Sequence, residues 1–370
     1  MIQALTKSKK ILITLPHLRK PGGVASYYNA ILPHLKNYNI YRLEIGSNDN
    51  KIGLINPIND QLRFHNTISK IRPNLVHLNP SLGPKSFFRD GFFVWQCKKK
   101  KIPFLVFWRG WDKKFEKTVN HRLLPFFKYT FACASAFIVL ASEFKNKLVQ
   151  WGINSPVYIE TTAVEESLLK DTDPLSKWVN DGFLLEDKPL KILFLARLEH
   201  NKGAFETLDA IKLLLDKGHN VTLTVAGDGS VYSDLQEYAT KLGIEDDKVT
   251  FTGYIRGMEK KRTLNEHHVY CFPTTYGEGL PNSVLEAMAF GMPVITTPLG
   301  GLADMFLDDK MGFLVKSKRP EEIADKIEKL INNPQKMIEI AKFNATYARE
   351  HFMAPKVATR IMSIYQEITG

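Results

Sequence analysis

The sequence predicts an α/β protein built from two doubly wound parallel sheets. Three observations carry that expectation. Short apolar runs alternate with helical stretches along most of the chain, and strands separated by helices pair in parallel through right-handed crossovers. The alternation breaks once, between about Glu165 and Pro189, in an acidic segment that also holds Pro174, and then restarts. The 370 residues exceed what one core organises, so two domains are expected.

In the first half, KKILITLP reads as a strand. The loop HLRKPGGVA leads from it into a helix, SYYNAILPHLKN. IYRLEIG is the second strand, and NLVHLNP (Asn74 to Pro80), IPFLVFW (Ile102 to Trp108) and AFIVLAS (Ala136 to Ser142) follow. A helix runs from about Glu143 to Trp151. After the break, LKILFLARL is a strand and GAFETLDAIKLLLDKG an amphipathic helix stopped by Gly218. VTLTVAGDG, VTFTGYI, VYCFPTT and MPVITT supply further strands. PEEIADKIEKLINN begins with proline, as a surface helix often does, and PKVATRIMSIYQEI is a final helix. The division expected is a first domain over residues 1–165, a linker at 166–189, a second domain over 190–354, and a closing helix at 355–370. Ligands of such sheets lie beyond the carboxyl ends of the strands.

Composition removes several classes. Hydrophobic residues make up 44% of the chain and Gly and Pro are ordinary, which excludes disordered and collagen-like chains. Three widely spaced cysteines with no CxxC pair fit a reducing compartment and exclude a disulfide framework or a zinc site. The apolar run after the first lysines is about six residues, too short for a signal core. No run of about 18 apolar residues occurs, so no transmembrane helix and a cytoplasmic location are expected. The net charge of +11 is uneven. Residues 1–187 carry 27 Lys and Arg against 15 Asp and Glu, net +12, and the remainder is net −1. A basic half beside a neutral half points to an anionic partner on one side. Nothing resembles a nucleic-acid-binding motif, so the anionic partner expected is a membrane surface, met peripherally at its inner face, or a lipid-diphosphate acceptor. The stretch SFFRDGFFVWQCKKKK (Ser86 to Lys101) has two readings: an aromatic and basic face for anionic lipid, or a core helix with a solvated lysine turn.

Four constellations carry chemistry. In YGEGLPNSVLEAMAFGMPVITT, Glu278 precedes a helix and Glu286 lies inside it. Pro281 suits the first helical position and Gly291 the stop. Between the carboxylates lie the unpaired N–H groups of a helix start, with positive dipole character. An anion site flanked by two hydroxyl acceptors has the layout of a sugar nucleotide. In ARLEHNKG (Ala196 to Gly203), Arg197 ends a strand and Lys202 precedes a helix, two cations suited to a diphosphate. In RKPGGVA, Gly22 and Gly23 open a helix where a backbone can approach phosphate. In TPLGGLADM, Gly300 and Gly301 follow a strand and Asp304 comes three residues later. His17 and His77, near strand ends, read as packed or solvated residues.

With GDG at Gly227 to Gly229, FTGYI at Phe251 to Ile255 and the late glycine pair, these motifs resemble glycosyltransferase family four. The likeness covers most of the chain and is strongest over about residues 190–304. It implies a GT-B fold, two Rossmann-like domains facing across a cleft, and a retaining enzyme that uses a nucleotide-sugar donor, UDP-sugar favoured over GDP-sugar. The acceptor implied is a hydroxyl of a glycan or lipid-linked oligosaccharide in bacterial surface polysaccharide synthesis, of the lipopolysaccharide or capsule kind. By the same resemblance Glu286 accepts from ribose hydroxyls and Glu278 holds a donor-sugar hydroxyl. Gly279, Leu280, Asn282 and Ser283 contact sugar and phosphate, and the base lies near Tyr254 and Ile255. Arg197 and Lys202, with Glu278, are the catalytic set: the two cations stabilise charge on the leaving diphosphate. Gly23, beside Gly22, adds an N–H. No metal or other cofactor is implied, and Asp308-Asp309 reads as a surface turn.

One position departs from the family pattern. Many members carry a histidine after the strand corresponding to IPFLVFW, and this chain has Arg109 in WRGWD. An arginine cannot act as a base near neutral pH; it binds sugar hydroxyls, phosphate or an anionic acceptor. Ala196 stands where glycine is common. Two rival readings remain open: a sugar-nucleotide epimerase on the same fold, and a non-catalytic protein that binds sugar nucleotides or glycans.

Overall fold

The computed structural model describes residues 8–20, 22–46, 55–179, 188–277 and 279–370. The chain divides into two compact units. One comprises Met1–Ala163, Glu278–Leu280 and Ala354–Gly370; the other comprises Val164–Gly277 and Pro281–Met353.

The first unit is built on β1 (Lys10–Leu15), β2 (Asn39–Glu44), β3 (Leu75–Leu78), β4 (Ser81–Leu82), β5 (Phe104–Phe107), β6 (Gly110–Trp111), β7 (Ala136–Val139) and β8 (Val157–Ile159). Six of these form a parallel sheet in the order β2-β1-β3-β5-β7-β8, and β4 pairs with β6. The central strands ILITL, LVHL, FLVF and AFIV are almost wholly buried. That is why they read as unbroken apolar runs: helices cover both faces of a parallel sheet.

The core here is aromatic. Trp111 stacks on Phe144 at 4.6 Å and on Trp151 at 5.9 Å, and Trp108 meets Phe131 at 5.1 Å. His77 is wholly buried in β3, with Nδ1 2.6 Å from the Tyr365 hydroxyl. Burial, with the charge of Arg109 nearby, pushes its pKa down to about 3, so it is a neutral packing residue. His17 instead pairs with Glu44 at 2.6 Å.

The helix Ala354–Thr369 completes this unit. Its buried residues Val357, Ala358, Ile361, Ile364 and Tyr365 recur at helical spacing, against the helix Gly23–Ile31 and β3. Arg360 donates through Nε to both oxygens of Glu160, at 2.9 and 3.2 Å. Lys9 donates to the Thr369 carbonyl at 2.7 Å. The stretch Ser86 to Lys101 lies mainly in the helix Pro84–Lys99, which has a core face and an exposed face. Phe87 and Phe93 are core, while Phe88, Phe92 and Trp95 are exposed along one stripe.

The second unit holds β9 (Leu190–Leu195), β10 (Val221–Ala226), β11 (Val249–Gly253), β12 (Val269–Phe272), β13 (Val294–Thr296) and β14 (Gly312–Leu314). They form one parallel sheet in the order β11-β10-β9-β12-β13-β14. This is the dinucleotide-binding order, and its strand order reverses between β9 and β12. In the first unit β3, not a later neighbour of β2, lies beside β1, so that sheet follows the other doubly wound order.

Part of the segment expected to be a linker is folded onto the second unit. The helices Glu166–Leu169 and Ser176–Val179 lie in it. Trp178 is buried, and the Lys177 ammonium donates to the His267 carbonyl at 2.6 Å. Acidic composition and two prolines concealed this anchoring, because the buried residues, among them Leu168 and Trp178, are few and scattered in a polar stretch. The three cysteines are free thiols. Among the described residues no helix is long and apolar enough to cross a membrane.

Candidate functional site

In the second unit the predicted residues gather where the strand order reverses. The loop after β9 runs from Ala196 to Gly203, and β9 ends at Leu195, so Arg197 stands two residues beyond the strand rather than at its end. Gly203 has φ +89, and a Cβ there would lie 2.6 Å from the Pro273 carbonyl oxygen. Only glycine lets the loops after β9 and β12 approach this closely. Gly227, at φ +146, does the same for the loops after β9 and β10, since a Cβ would meet the Ala196 oxygen.

Hydrogen bonds tie these loops together. The Asn201 carbonyl accepts from the Thr275 N–H at 2.9 Å and from the Thr274 hydroxyl at 3.1 Å. The Lys202 ammonium lies 4.4 Å from the centre of the Tyr276 ring, a favourable cation–π contact. Lys202 is half-buried and Arg197 exposed. The Tyr270 hydroxyl lies 2.8 Å from the Leu195 carbonyl and 2.7 Å from Ser283 Oγ. It pins the start of the helix Asn282–Ala289 to the end of β9. One loop bearing two cations, the turn Thr274–Tyr276 and one helix start thus share the carboxyl ends of β9 and β12.

That helix begins one residue later than expected. Pro281 precedes it, at φ −69 and ψ 124, as the flanking residue. Its extended ψ turns the chain into the helix and leaves the N–H groups of Asn282 and Ser283 in the first turn.

Glu286 is one turn inside and buried. Lys260, in the helix Gly257–Glu266, donates to its Oε1 at 2.7 Å. Its Oε2 lies 2.6 Å from the same ammonium but outside hydrogen-bonding geometry, and it has no hydrogen-bond partner. A buried carboxylate needs a cation and full hydrogen bonding to be held without loss; Glu286 has the cation and lacks half of the bonding. The free oxygen is a ready acceptor for a ligand hydroxyl. Lys260 was missed in the sequence, where its partner lies 26 residues away and the EKK run reads as solvated surface.

Of the residues expected at the base, Ile255 is buried and Tyr254 exposed. Gly279 is half-buried and Leu280 buried. Glu278 lies outside the described residues.

In the first unit Gly22 flanks the start of the helix Gly23–Ile31, and open space lies beside it. Arg109 follows β5, between two core tryptophans, and is itself buried. Its N–H donates to the Pro80 carbonyl at 2.8 Å. Its guanidinium carbon lies 4.0 Å from the Tyr27 ring centre and 4.3 Å from that of Phe107. Among the described residues no group of three or more His, Cys, Asp or Glu is placed to hold a metal ion.

Comparison with known proteins bears on the same segment. Residues 179–346 match the family model described as glycosyl transferases group 1. A capsular polysaccharide biosynthesis glycosyltransferase of Staphylococcus aureus is 26% identical over 219 residues, 56% of this chain and 54% of that protein. The chain spans about half the length of the curated relatives it matches most strongly. Two solved structures share the whole fold. Anabaena HepE, crystallised with UDP-glucose, superposes with a TM-score of 0.75 at 16% identity, over 97% of this chain and 100% of that one. Sucrose-phosphate synthase of Thermosynechococcus elongatus gives 0.76 at 17% identity, over 97% and 99%. The GT-B architecture is therefore that of this chain, and its residues 179–346 are similar to the glycosyl transferases group 1 family.

Proposed function

We propose that the chain is a retaining glycosyltransferase. It moves a hexose-type sugar from a nucleotide-sugar donor, UDP-linked in first preference and GDP-linked in second, to a hydroxyl of a glycan or lipid-linked acceptor. The setting proposed is surface polysaccharide synthesis, as in the relative named for capsule synthesis. One observation carries the reading: Lys202, the Thr274–Tyr276 turn and the helix bearing the half-satisfied Glu286 converge at the second sheet's switch point. A ribose hydroxyl would complete the bonding of Glu286 Oε2. The helix start, Arg197 and Lys202 would take the diphosphate and stabilise its charge as the bond to the sugar breaks. In this reading the positive charge comes from the protein and no metal is needed. The leaving phosphate would deprotonate the acceptor on the face it departs from, which retains configuration. Glu278 would hold a donor-sugar hydroxyl.

The test is a thermal-shift panel with UDP, GDP, ADP, CMP and dTDP in EDTA. A ligand at a hundredfold its Kd adds about 2.7 kcal/mol, roughly 5–10 °C for units of this size. We expect UDP to give that shift and Glu286→Ala to abolish it. No shift with any nucleotide would overturn the reading.

A second feature supports peripheral contact with an anionic membrane. Phe88, Phe92 and Trp95 lie exposed on one helix, with the Lys99 ammonium 3.8 Å from the Trp95 ring centre. On helices packed against it, Ile58, Leu62 and Tyr129 are also exposed. Aromatic rings among lysines suit a lipid headgroup layer. The chain should co-sediment with vesicles containing about one-third phosphatidylglycerol, and lose this in a Phe92→Ser, Trp95→Ser double variant. Equal sedimentation of both proteins would remove the helix from that role.

A further inference from the structure

Among the described residues Arg109 is a buried cation without an anion. The residue is 9% exposed, and Nε and Nη1 are buried with no hydrogen-bond acceptor. Its nearest charged or titratable company is neutral. Burial pushes the phenols of Tyr27 and Tyr28 up, so both stay protonated at pH 7. The buried Tyr27 hydroxyl lies close to the guanidinium but outside good hydrogen-bond geometry, a weak neutral contact that carries no charge. Tyr28 donates to Asn79 Oδ1 at 2.7 Å, and His77 is neutral. The carboxylate in this neighbourhood, Glu160, is taken by both Arg360 contacts at 2.9 and 3.2 Å. Among the described residues no carboxylate acts on Arg109, whose own pKa burial lowers.

The guanidinium lies in a corner of two aromatic rings whose planes stand 88° apart. Ring faces attract a cation, but they do not accept its N–H groups. A charge held out of water with open donors is costly unless something pairs with it. The planar fork of a guanidinium matches a carboxylate, which can take two of its N–H groups at once.

We propose that Arg109 is the receptor for a carboxylate on a sugar substrate, so that this chain handles an acidic sugar of the uronic acid kind. The proposal rests on the glycosyltransferase reading for its substrate and goes beyond it in naming the sugar's charge. The carboxylate belongs to the donor sugar or to an acceptor sugar, and the same contact serves either source.

Calorimetric titration tests it with defined probes: UDP, UDP-glucose and UDP-glucuronate for the donor, and glucose, glucuronate and inorganic phosphate in the presence of saturating UDP for the acceptor. We expect at least a tenfold preference for the glucuronate member of one pair. Arg109→Gln should erase the preference and Arg109→Lys should weaken it, with each variant's melting transition as the folding control. If Arg109→Gln does not fold, the wild-type pairs still decide. Equal affinity for acidic and neutral members of both pairs would overturn the proposal, as would phosphate binding tighter than glucuronate. Failure of UDP itself to bind would instead strike the donor reading, and glucuronate against glucose, without nucleotide, would still test Arg109.

Discussion

Arg197→Ala and Lys202→Ala are each expected to lower kcat by about 10²–10³-fold, the usual effect of removing one group aimed at developing charge. The loss should appear in kcat because the diphosphate gains charge as the sugar leaves, so the cations act more strongly on the transition state than on the bound donor. Arg197 is exposed and Lys202 half-buried, outside the core. Surface changes of this kind shift stability by about 0.5 kcal/mol, with up to about 1 kcal/mol more for the Lys202–Tyr276 contact. The melting temperature should therefore fall by about 5 °C at most. The measurement is UDP release from the UDP-sugar that gives the largest thermal shift, followed at several donor concentrations. A rise in KM with kcat intact would show that these cations bind donor without stabilising the transition state.

Ending the chain after Met353 should prevent the first unit from folding. The helix lost buries Val357, Ile361, Ile364 and Tyr365 against β3 and the first helix. Each such side chain is worth about 1.5–3 kcal/mol, which together approaches the whole stability of a typical domain, about 5–15 kcal/mol. The truncation would also strand His77, which loses the Tyr365 hydroxyl, and Glu160, which loses Arg360. Arg360 is itself partly exposed, so the loss of this pair adds to the effect without dominating it. Hydrogen exchange read by mass spectrometry is the measurement. Peptides from β1, β3 and β5 should lose protection while those from β9 and β12 keep it. Full protection throughout the shortened protein would show that the helix is dispensable.

Both results bear on what the sequence disclosed. Sheet strands such as LVHL and FLVF were legible because burial on two faces leaves no polar residue to blur them. The helix Ile55–Ile71 was not, because Phe64 and Ile68 are the apolar residues it buries in a polar stretch. Strand order was also hidden: local pattern announces a strand but not which neighbour it takes. In the second unit, motif spacing located the loop carrying Arg197 and Lys202 and the helix of Glu286. What those side chains touch depended on distant residues. Lys260 reaches Glu286 from another helix. The isolation of Arg109 shows only once Tyr27, His77 and Glu160 are in place around it. WRGWD announced an unusual residue, and three dimensions were needed to find that no described residue balances its charge.

The discontinuity of the first unit has a consequence for synthesis. A ribosome makes the segments of the second unit before it makes the helix Ala354–Thr369. Domains generally fold as their segments emerge, at about 5–20 residues per second. Here the order is inverted: the unit that begins the chain is the last to be completed, and it waits about ten seconds or more for its closing helix. During that interval the apolar face of β3 and the helix Gly23–Ile31 lacks its cover, which makes the nascent chain, rather than the finished protein, the form most in need of a chaperone.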